Sequence, residues 1–317
     1  MSEESTLILS PSPGDMARAA GLLRRGEPVA FPTETVYGLG ADARSGPAVA
    51  RVYAAKGRPA FNPLIAHVPD VETARELVIW TPMADKLARA FWPGPLTLVL
   101  PLREGHGIAS LVTAGLETLA VRVPAHPTAQ ALLRAFGGPL AAPSANPSGR
   151  ISPTTAAHVL AGLDGDIAAL IDDGACAVGL ESTIVGLIDK TLRLLRPGGL
   201  AAEPIEAVIG RPLQQHATTD ALVAPGQLLS HYAPRAAMRL NAEESRRGEL
   251  LLGFGNVEGE LNLSPGGDLA EAAANLFDHL HRLDQIGRPI AVARIPGHGL
   301  GAAINDRLKR AAAPRDT

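Results

Sequence analysis

Short apolar runs alternate with helical patterns along the first two thirds of the chain. Apolar runs bounded by turn residues predict strands at 28–31, 64–68, 96–100, 118–123, 167–172 and 192–195. Apolar residues at helical spacing predict helices at 14–25, 45–56, 70–78, 82–91, 126–136 and 154–162. The run at 96–100 is apolar except for Thr97, which is typical of a strand covered on both faces. Strands that alternate with helices, some of them joined as hairpins, predict a mixed α/β sheet.

The periodic pattern weakens near residue 205 and resumes near residue 237. Residues 211–235 show little periodicity, and we interpret them as a linker. Beyond the linker, strands are predicted at 237–240, 249–254 and 289–295, and helices at 268–286 and 300–311. A chain of 317 residues is long enough for two domains. We therefore expect a large domain over 1–210, a linker over 211–235 and a small α/β domain over 236–317.

The composition predicts a packed soluble core built mainly from aliphatic side chains. Hydrophobic residues make up 46% of the chain, and aromatic residues only 3%. The net charge of -3 argues against a protein whose whole surface binds nucleic acid, but it is compatible with a local basic cleft. The acidic N-terminus lacks the basic start of a signal peptide. No stretch reaches the ~20 apolar residues of a membrane span, so we expect a cytoplasmic protein without membrane contact.

Several weaker patterns have an ordinary structural explanation. Cys176 is the single cysteine, which excludes an intrachain disulfide and a thiolate cluster, and we expect it to be a small buried side chain. The chain has no P-loop motif, and the glycines of 253–255 match only part of a dinucleotide fingerprint. His279 and His281 are two apart on a predicted helix and therefore face different directions. The acidic pair 172–173 could bind Mg²⁺, although a solvated turn is the more frequent context.

Residues 29–67 combine hydroxyl groups, glycines and basic side chains beside a predicted strand. The strand leads into the turn PTETVYGLG, and a predicted helix between the caps Ser45 and Gly57 follows. Lys56 and Arg58 lie at the end of that helix, in a loop stiffened by two prolines. A polar turn and a rigid basic loop beside one strand indicate an anion site, although basic residues at a helix C-terminus are more often structural.

Arg122 interrupts an apolar strand and is the most informative single residue. A buried arginine needs a partner. That partner is either a carboxylate such as Glu34 or Glu181, or a bound substrate, and the sequence alone leaves both open. Other strand ends and loop tips supply further cations, hydroxyls and amides, at Arg196, Thr35, Ser144, Ser152, Ser182, Asn62 and Asn146. Together these residues predict an anion-binding α/β protein.

Five motifs resemble, in the same order, those of the YrdC-like threonylcarbamoyl-AMP synthase family. They are PTETVYGLG at 32–40, K-x-R-P-x-x-x-P-L at 56–64, APSAN at 142–146, S-G-x-x-S-P-T at 148–154 and ESTIV at 181–185. The tail, with PGQLLSHYAP at 225–234, resembles the long two-domain form of the family. The resemblance implies a twisted mixed sheet with flanking helices, joined by an ordered linker to a small Rossmann-like domain.

The resemblance also implies a nucleotidyltransferase that makes threonylcarbamoyl-AMP and pyrophosphate from L-threonine, bicarbonate or CO2, and ATP. It implies L-threonine contacts at Thr35, His67, Arg122, Ala142 and Ser182. It implies ATP contacts at Arg58, Asn62, Thr118, Ser144, Asn146, Ser152, Arg196 and Tyr232. Lys56 and Arg58 are expected to stabilise carboxylate and phosphate charge in catalysis. No general base and no metal ligand is assigned, and Mg²⁺ is expected to accompany ATP.

Partners follow from the same resemblance. The product is expected to serve downstream tRNA threonylcarbamoyl transferase proteins, and contact with tRNA or double-stranded RNA is a further hypothesis. The linker is expected to fold over the cleft with Tyr232 on the nucleotide and to exclude water, an ordered tether being the alternative. A non-catalytic RNA-binding module and a YrdC-containing carbamoyltransferase of hydrogenase maturation are the competing functions. The acidic total charge disfavours the first, and the absence of acylphosphatase and zinc-finger segments disfavours the second.

Overall fold

The computed structural model describes residues 5–188, 191–215 and 231–314. Its strands are β1 Leu7–Leu9, β2 Val29–Phe31, β3 Gly38–Asp42, β4 Ile65–His67, β5 Leu96–Pro101, β6 Thr118–Arg122, β7 Leu140–Ala141, β8 Ala169–Ile171, β9 Thr183–Gly186, β10 Arg193–Arg196, β11 Gln214–Gln215, β12 Met238–Ala242, β13 Leu250–Gly253, β14 Leu261–Asn262 and β15 Ile290–Ala293. Its helices are α1 Pro13–Arg24, α2 Gly46–Lys56, α3 Val71–Leu77, α4 Pro82–Phe91, α5 Ser110–Thr113, α6 Pro127–Phe136, α7 Ala156–Leu163, α8 Ala202–Ile209, α9 Leu269–Ile286 and α10 Leu300–Ala311.

The first eleven of these strands form one mixed sheet. Their order is β1-β8-β2-β3-β7-β4-β6-β5-β9-β10-β11. Strand β4 pairs with β6 in parallel, whereas β6 pairs with β5 antiparallel. The predicted mixed sheet is therefore confirmed. Leu96–Leu100 of β5 is fully buried, as its almost wholly apolar sequence predicts.

The register between β4 and β6 determines where the site forms. Ile65 pairs with Ala120 and His67 pairs with Arg122, so the last residues of two parallel strands lie side by side. Helix α2 begins after the N-cap Ser45 and ends before Gly57, which has the left-handed backbone that favours glycine (φ 57°). Both caps are as predicted. The left-handed backbone of Gly57 ends α2 and allows the chain to turn into the loop that carries Arg58 and leads to β4.

The main difference from the predictions is strand β3, which lies within the stretch expected to be a turn. Gly38–Asp42 pairs antiparallel with β2 as a hairpin. The stretch has the small residues of a loop, but Gly40 lies against Phe31, and a Cβ there would lie 2.9 Å from that ring. A close packing contact of this kind has no local periodicity by which a sequence could reveal it. Helix α8, the short helix α5 and the strands β1, β7, β9, β11 and β14 were also not predicted.

The last four described strands form a second, wholly parallel sheet in the order β12-β15-β13-β14. Helices α9 and α10 accompany it, as predicted. Its core is continuous with the first domain, because Val36, Ile151 and Leu180 pack into the same apolar cluster as Phe277 of α9. Most of the predicted linker, residues 216–230, lies outside the described residues. No helix of the described ranges combines the length and hydropathy needed to cross a membrane.

Candidate active site

A pocket of about 560 Å³, partly open to solvent, lies at the carboxyl ends of β4 and β6. It is lined by Thr33, Thr35, Val36, Gly38, Arg58, Pro63, Leu64, Ile65, His67, Arg122, Ala142, Pro143, Ser144, Glu181, Ser182, Arg196, His231 and Tyr232. These residues come from seven separate segments of the chain. Three of them are arginines and one is a carboxylate, so the wall favours anions.

Arg122 is 3% exposed and is held by three groups of the first domain. Its Nη2 lies 2.6 Å from Oε1 of Glu34, its Nη1 donates to the Thr35 hydroxyl at 3.0 Å, and its Nε donates to the Gly94 carbonyl at 3.1 Å. Burial raises the pKa of Glu34, but the charge and hydrogen bond of Arg122 outweigh it and hold that pKa below its ordinary value. Of the two carboxylates considered for Arg122, Glu34 is therefore its partner.

The guanidinium keeps donor capacity for a ligand. The contacts of Arg122 with Glu34, Thr35 and Gly94 involve one N–H group each, and a guanidinium has five, so among the described residues Nη1 and Nη2 each keep one N–H group for a ligand. An arginine fixed by Glu34 and Thr35 at the edge of a pocket is preorganised to bind a carboxylate.

His67 lies beside Arg122 and is a neutral imidazole. Burial, and then the neighbouring charge of Arg122, lower the pKa of His67 to about 3. Its Nδ1 lies 3.3 Å from the Ile65 carbonyl, which can only accept, so Nδ1 carries the proton and Nε2 is an acceptor. His67 can therefore orient a substrate by hydrogen bonding, without adding charge.

Lys56 lies behind the pocket wall rather than on it. It is 3% exposed, and its Nζ donates to the Ser144 carbonyl at 2.5 Å and to the Asn146 carbonyl. Burial, and then the charge of Arg58, hold the pKa of Lys56 well below its usual range. The lysine thus fastens the end of α2 to the 143–147 loop. Its direct contact with substrate remains a prediction.

Arg58 does line the pocket. Its Nη2 donates to the Pro63 carbonyl at 3.0 Å and its Nε approaches the Asn62 carbonyl at 3.3 Å, so the side chain folds onto its own loop. The Asn62 side chain is buried, and its Nδ2 has no hydrogen-bond partner among the described residues. The proline-stiffened loop therefore presents a fixed cation beside a spare amide donor.

The opposite wall is formed by the segment 181–183 and the end of β10. Arg196 donates through Nη2 to the Ser182 carbonyl at 2.9 Å, and the Ser182 hydroxyl lies 2.7 Å from that of Thr97. Glu181 accepts a hydrogen bond from the Ser152 hydroxyl at 2.5 Å. This wall combines a cation, two hydroxyls and a buried carboxylate.

Four predicted ATP contacts do not line the pocket directly. Asn62, Asn146 and Ser152 are buried just behind it, each 4% exposed or less. Thr118 lies four residues before Arg122 on the same face of β6, about 13 Å away along the strand. The predicted L-threonine contacts, by contrast, all line the pocket. The structure thus brings together the residues predicted to bind L-threonine. Part of the set predicted to bind ATP lies outside the pocket lining.

The sequence interpretation missed Arg307 of α10, the side chain by which the small domain reaches this wall. Its Nε lies 2.7 Å from Oε2 of Glu181, and it is fully buried. Residues 304, 307, 308 and 311 form the buried face of α10, so Arg307 occupies an apolar position of the helix. An arginine in the apolar stripe of an amphipathic helix was the signal available in the sequence.

The weaker patterns behave as expected. Cys176 is buried, and burial raises the pKa of its thiol to about 12. The pair 172–173 is exposed, and Asp172 accepts the Gly174 amide in a turn. His281 stacks on His158, with ring centroids 4.0 Å apart, while His279 does not share that contact. Within the described residues, no cluster of three or more histidine, cysteine or acidic side chains could hold a metal ion.

Comparison with known proteins adds a family match over most of the chain. The Sua5/YciO/YrdC family model, described as "Telomere recombination", matches residues 21–198. The model of the "Threonylcarbamoyl-AMP synthase, C-terminal domain" matches residues 200–313. The threonylcarbamoyl-AMP synthase of Bacillus subtilis (strain 168) is 41% identical, over 97% of this chain and 95% of the relative.

Solved structures agree with the sequence matches. The crystal structure of P. abyssi Sua5 complexed with L-threonine is similar with a TM-score of 0.89 and 40% identity, over 97% of this chain and 98% of that one. T. kodakarensis HypF is similar with a TM-score of 0.51 and 20% identity, over 58% of this chain and 24% of that one. The HypF likeness shows a shared fold alone.

Proposed function

This chain belongs to the Sua5/YciO/YrdC family, in its two-domain form, and we propose that it is an L-threonylcarbamoyladenylate synthase. The reaction joins L-threonine, bicarbonate or CO2, and ATP into threonylcarbamoyl-AMP, with release of pyrophosphate. One observation carries the proposal. The lining of a single pocket includes Arg122, which is fixed and suited to a carboxylate, together with Arg58 and Arg196, which suit phosphate groups.

We call the part of the pocket around Arg122, Thr35, His67 and Ser182 the threonine half and the part around Arg58 and Arg196 the nucleotide half. The threonine half has the more clearly defined contacts. Arg122 would bind the carboxylate, because its guanidinium is fixed by Glu34 and Thr35 and keeps a donor. The hydroxyls of Thr35 and Ser182 and the neutral ring of His67 would bind the amine and hydroxyl of the amino acid. This half fits a small polar zwitterion rather than a nucleic-acid backbone.

The nucleotide half is proposed from the remaining polar groups. Arg58 and Arg196 would bind phosphates, with the Ser144 hydroxyl between the two halves. Buried polar atoms without a hydrogen-bond partner among the described residues, Asn62 Nδ2, Asn146 Oδ1 and Tyr232 Oη, lie beside this half and need one. Thr118, Ser152 and Tyr232 complete the predicted ATP contacts. His231 and Tyr232 would form the wall over the nucleotide, as the lid hypothesis requires.

The chemistry follows from positioning and electrostatics. The threonine amine attacks CO2 and loses a proton, which gives a carbamate. A carbamate oxygen then attacks the α-phosphorus of ATP, the bond to the β-phosphate oxygen breaks, and pyrophosphate leaves. Arg58 and Arg196 would stabilise the charge that develops on the phosphates, and Lys56 would act through the loop that it holds. The proton acceptor is unassigned, because His67 has a pKa of about 3 and is a weak base.

Within the described part of the chain, the residues at the pocket do not form a protein-held magnesium site. Glu181 is the carboxylate on the described pocket wall, and it is paired with Arg307. Mg²⁺ in nucleotide sites commonly keeps several waters and is held by the phosphates. We therefore expect Mg²⁺ to enter the pocket bound to ATP.

Partners of the reaction product are proposed from the family alone. Threonylcarbamoyl-AMP would be passed to tRNA threonylcarbamoyl transferase proteins for the t6A modification. Direct contact with tRNA or double-stranded RNA remains a hypothesis.

The proposal is tested by pyrophosphate release from ATP in the full-length protein, with L-threonine and bicarbonate each added or omitted. Release that needs both supports the synthase. Release without threonine would point to another acceptor, such as that of a carbamoyltransferase. A folded protein with Mg²⁺ that releases no pyrophosphate but binds RNA at moderate salt would support the non-catalytic module instead.

A further inference from the structure

Arg307 of α10 is a fully buried cation that joins the two domains. Its Nε lies 2.7 Å from Oε2 of Glu181, and its Nη1 lies 2.7 Å from Oδ2 of Asp306. Its guanidinium carbon lies 4.9 Å from the centre of the Tyr232 ring, a cation–π distance. Burying an arginine is costly, so a side chain with no contact to solvent must be retained by such partners. Glu181 and Tyr232 both line the pocket.

Glu181 places a buried negative charge on the wall proposed to bind phosphate. Burial raises the pKa of Glu181, but the charges of Arg307 and then Arg196 outweigh it and keep the carboxyl ionised. One carboxylate oxygen accepts from the Ser152 hydroxyl, and the other faces Arg307. Arg307 is therefore the principal charge that offsets Glu181, and it belongs to the other domain.

Further contacts between α9 and the first domain hold Arg307 and Glu181 in a fixed relative position. His281 of α9 lies 3.2 Å, through Nε2, from the Ser152 carbonyl, so the small domain contacts the Ser152 segment at its backbone as well. Leu180 packs against Phe277 in the apolar cluster shared by the two domains. The docked small domain thus fixes where the Arg307 guanidinium lies relative to Glu181.

We propose that Arg307 is a positioning residue for the nucleotide, which it serves by neutralising Glu181 and by holding Glu181 and Tyr232 in place. The inference rests on the proposed function, because it assumes that phosphates lie along this wall. Without Arg307, the Glu181 carboxylate would compete with the phosphates for Arg196 and would repel them. The threonine half does not depend on Arg307, because Arg122 is held by Glu34, Thr35 and Gly94.

The test is a comparison of KM values in the full-length protein. Arg307→Met should raise the KM for ATP about tenfold, the effect of about one lost charge interaction. It should leave the KM for L-threonine within about twofold, because that half keeps its contacts. Adding Glu181→Gln to Arg307→Met should return most of the ATP affinity, because the uncompensated charge is then removed. A merely structural role would change the amount of folded protein but not the ratio of the two KM values.

The matched control is Arg239→Met. Arg239 and Glu249 form another arginine–glutamate pair of the small domain, 2.5 Å apart, and neither residue lines the pocket. Its loss should leave both KM values unchanged. If Arg307→Met does not fold, Arg307→Lys is measured instead. That variant should raise the KM for ATP about threefold, because one ammonium cannot serve Glu181, Asp306 and Tyr232 together.

An unchanged ratio of the two KM values in Arg307→Met would overturn the inference. If Arg307→Met does not fold, an unchanged ratio in Arg307→Lys would overturn it. So would a failure of Glu181→Gln to restore that ratio in the double variant. A wild-type protein without synthase activity would count against the proposed function instead. ATP affinity would then be measured by calorimetry, and equal binding by wild type and Arg307→Met would again overturn the role of Arg307.

Discussion

At the scale of single residues, fixed donors rather than obvious catalytic groups characterise this pocket. Arg122 is held from three directions, His67 is neutral, and Lys56 is engaged by backbone carbonyls. Each therefore has one geometry before substrate arrives. Such preorganisation lowers the activation barrier by holding the reactants in place, which suits a condensation of three substrates.

Arg122→Lys should weaken L-threonine binding selectively. The lysine keeps a positive charge beside Glu34 but loses the planar fork that binds a carboxylate. We expect the Kd for L-threonine, measured by calorimetry, to rise about thirtyfold, equivalent to about 2 kcal/mol. ATP affinity should change little. An equal loss for both ligands would contradict the division of the pocket into two halves.

Arg122 could be identified from the sequence because a charge interrupts an apolar strand. The ion pair of Arg307 with Glu181 spans 126 residues, and the bonds of Lys56 reach carbonyls 88 and 90 residues away. No local pattern encodes such distant partners. For this reason the sequence predicted that Lys56 belongs to the site but not that it holds a loop.

At the scale of elements, long periodic segments were predictable and short paired ones were not. Helices α2, α9 and α10 have an apolar face, and strand β5 is apolar except for Thr97 and the final proline. Strands β3 and β7 are short, contain glycine or alanine, and exist because they pair with each other across the sheet. Their neighbours, not their own residues, determine their conformation.

Gly179 shows how one position controls the contact between elements of the two domains. It has a φ of 73°, and a Cβ there would lie 2.4 Å from the Ala273 carbonyl oxygen of α9. Gly179→Ala should therefore lower the unfolding free energy by about 2 kcal/mol more than backbone strain alone would. Urea denaturation measures the difference.

Gly174 provides the control for that experiment. Its φ is 79°, but a Cβ there would meet no atom within 4 Å. Gly174→Ala should cost about 1 kcal/mol, from backbone strain alone. Equal losses at the two positions would show that α9 does not press against Gly179.

At the scale of the whole molecule, both domains contribute to one buried polar network around the pocket. That network includes histidines that the fold keeps neutral. Burial is the first cause in each case, and it lowers the pKa of His67 and of His231 to about 3 and that of His158 to about 4. The protein should therefore lose stability when acid conditions favour protonation.

The contribution of these histidines to the unfolding free energy should be constant above about pH 6.5 and fall below it. In the unfolded chain these histidines take up protons below about 6.5, whereas the folded protein resists until its lower pKa values are reached. Between about pH 6.5 and 5, His67 and His231 should each cost up to about 2 kcal/mol. His231→Gln should reduce the slope of urea-derived stability against pH, and an unchanged slope would contradict a buried neutral His231.

One pocket, supported from behind by the small domain, is proposed to join L-threonine, the carbon of bicarbonate and ATP. The most direct measurement supplies ¹³C-bicarbonate, L-threonine and ATP to the full-length protein and identifies the product by mass spectrometry. We expect threonylcarbamoyl-AMP that carries the label and forms in equal amount to pyrophosphate. Pyrophosphate release without labelled threonylcarbamoyl-AMP, or no turnover by a folded protein, would contradict it.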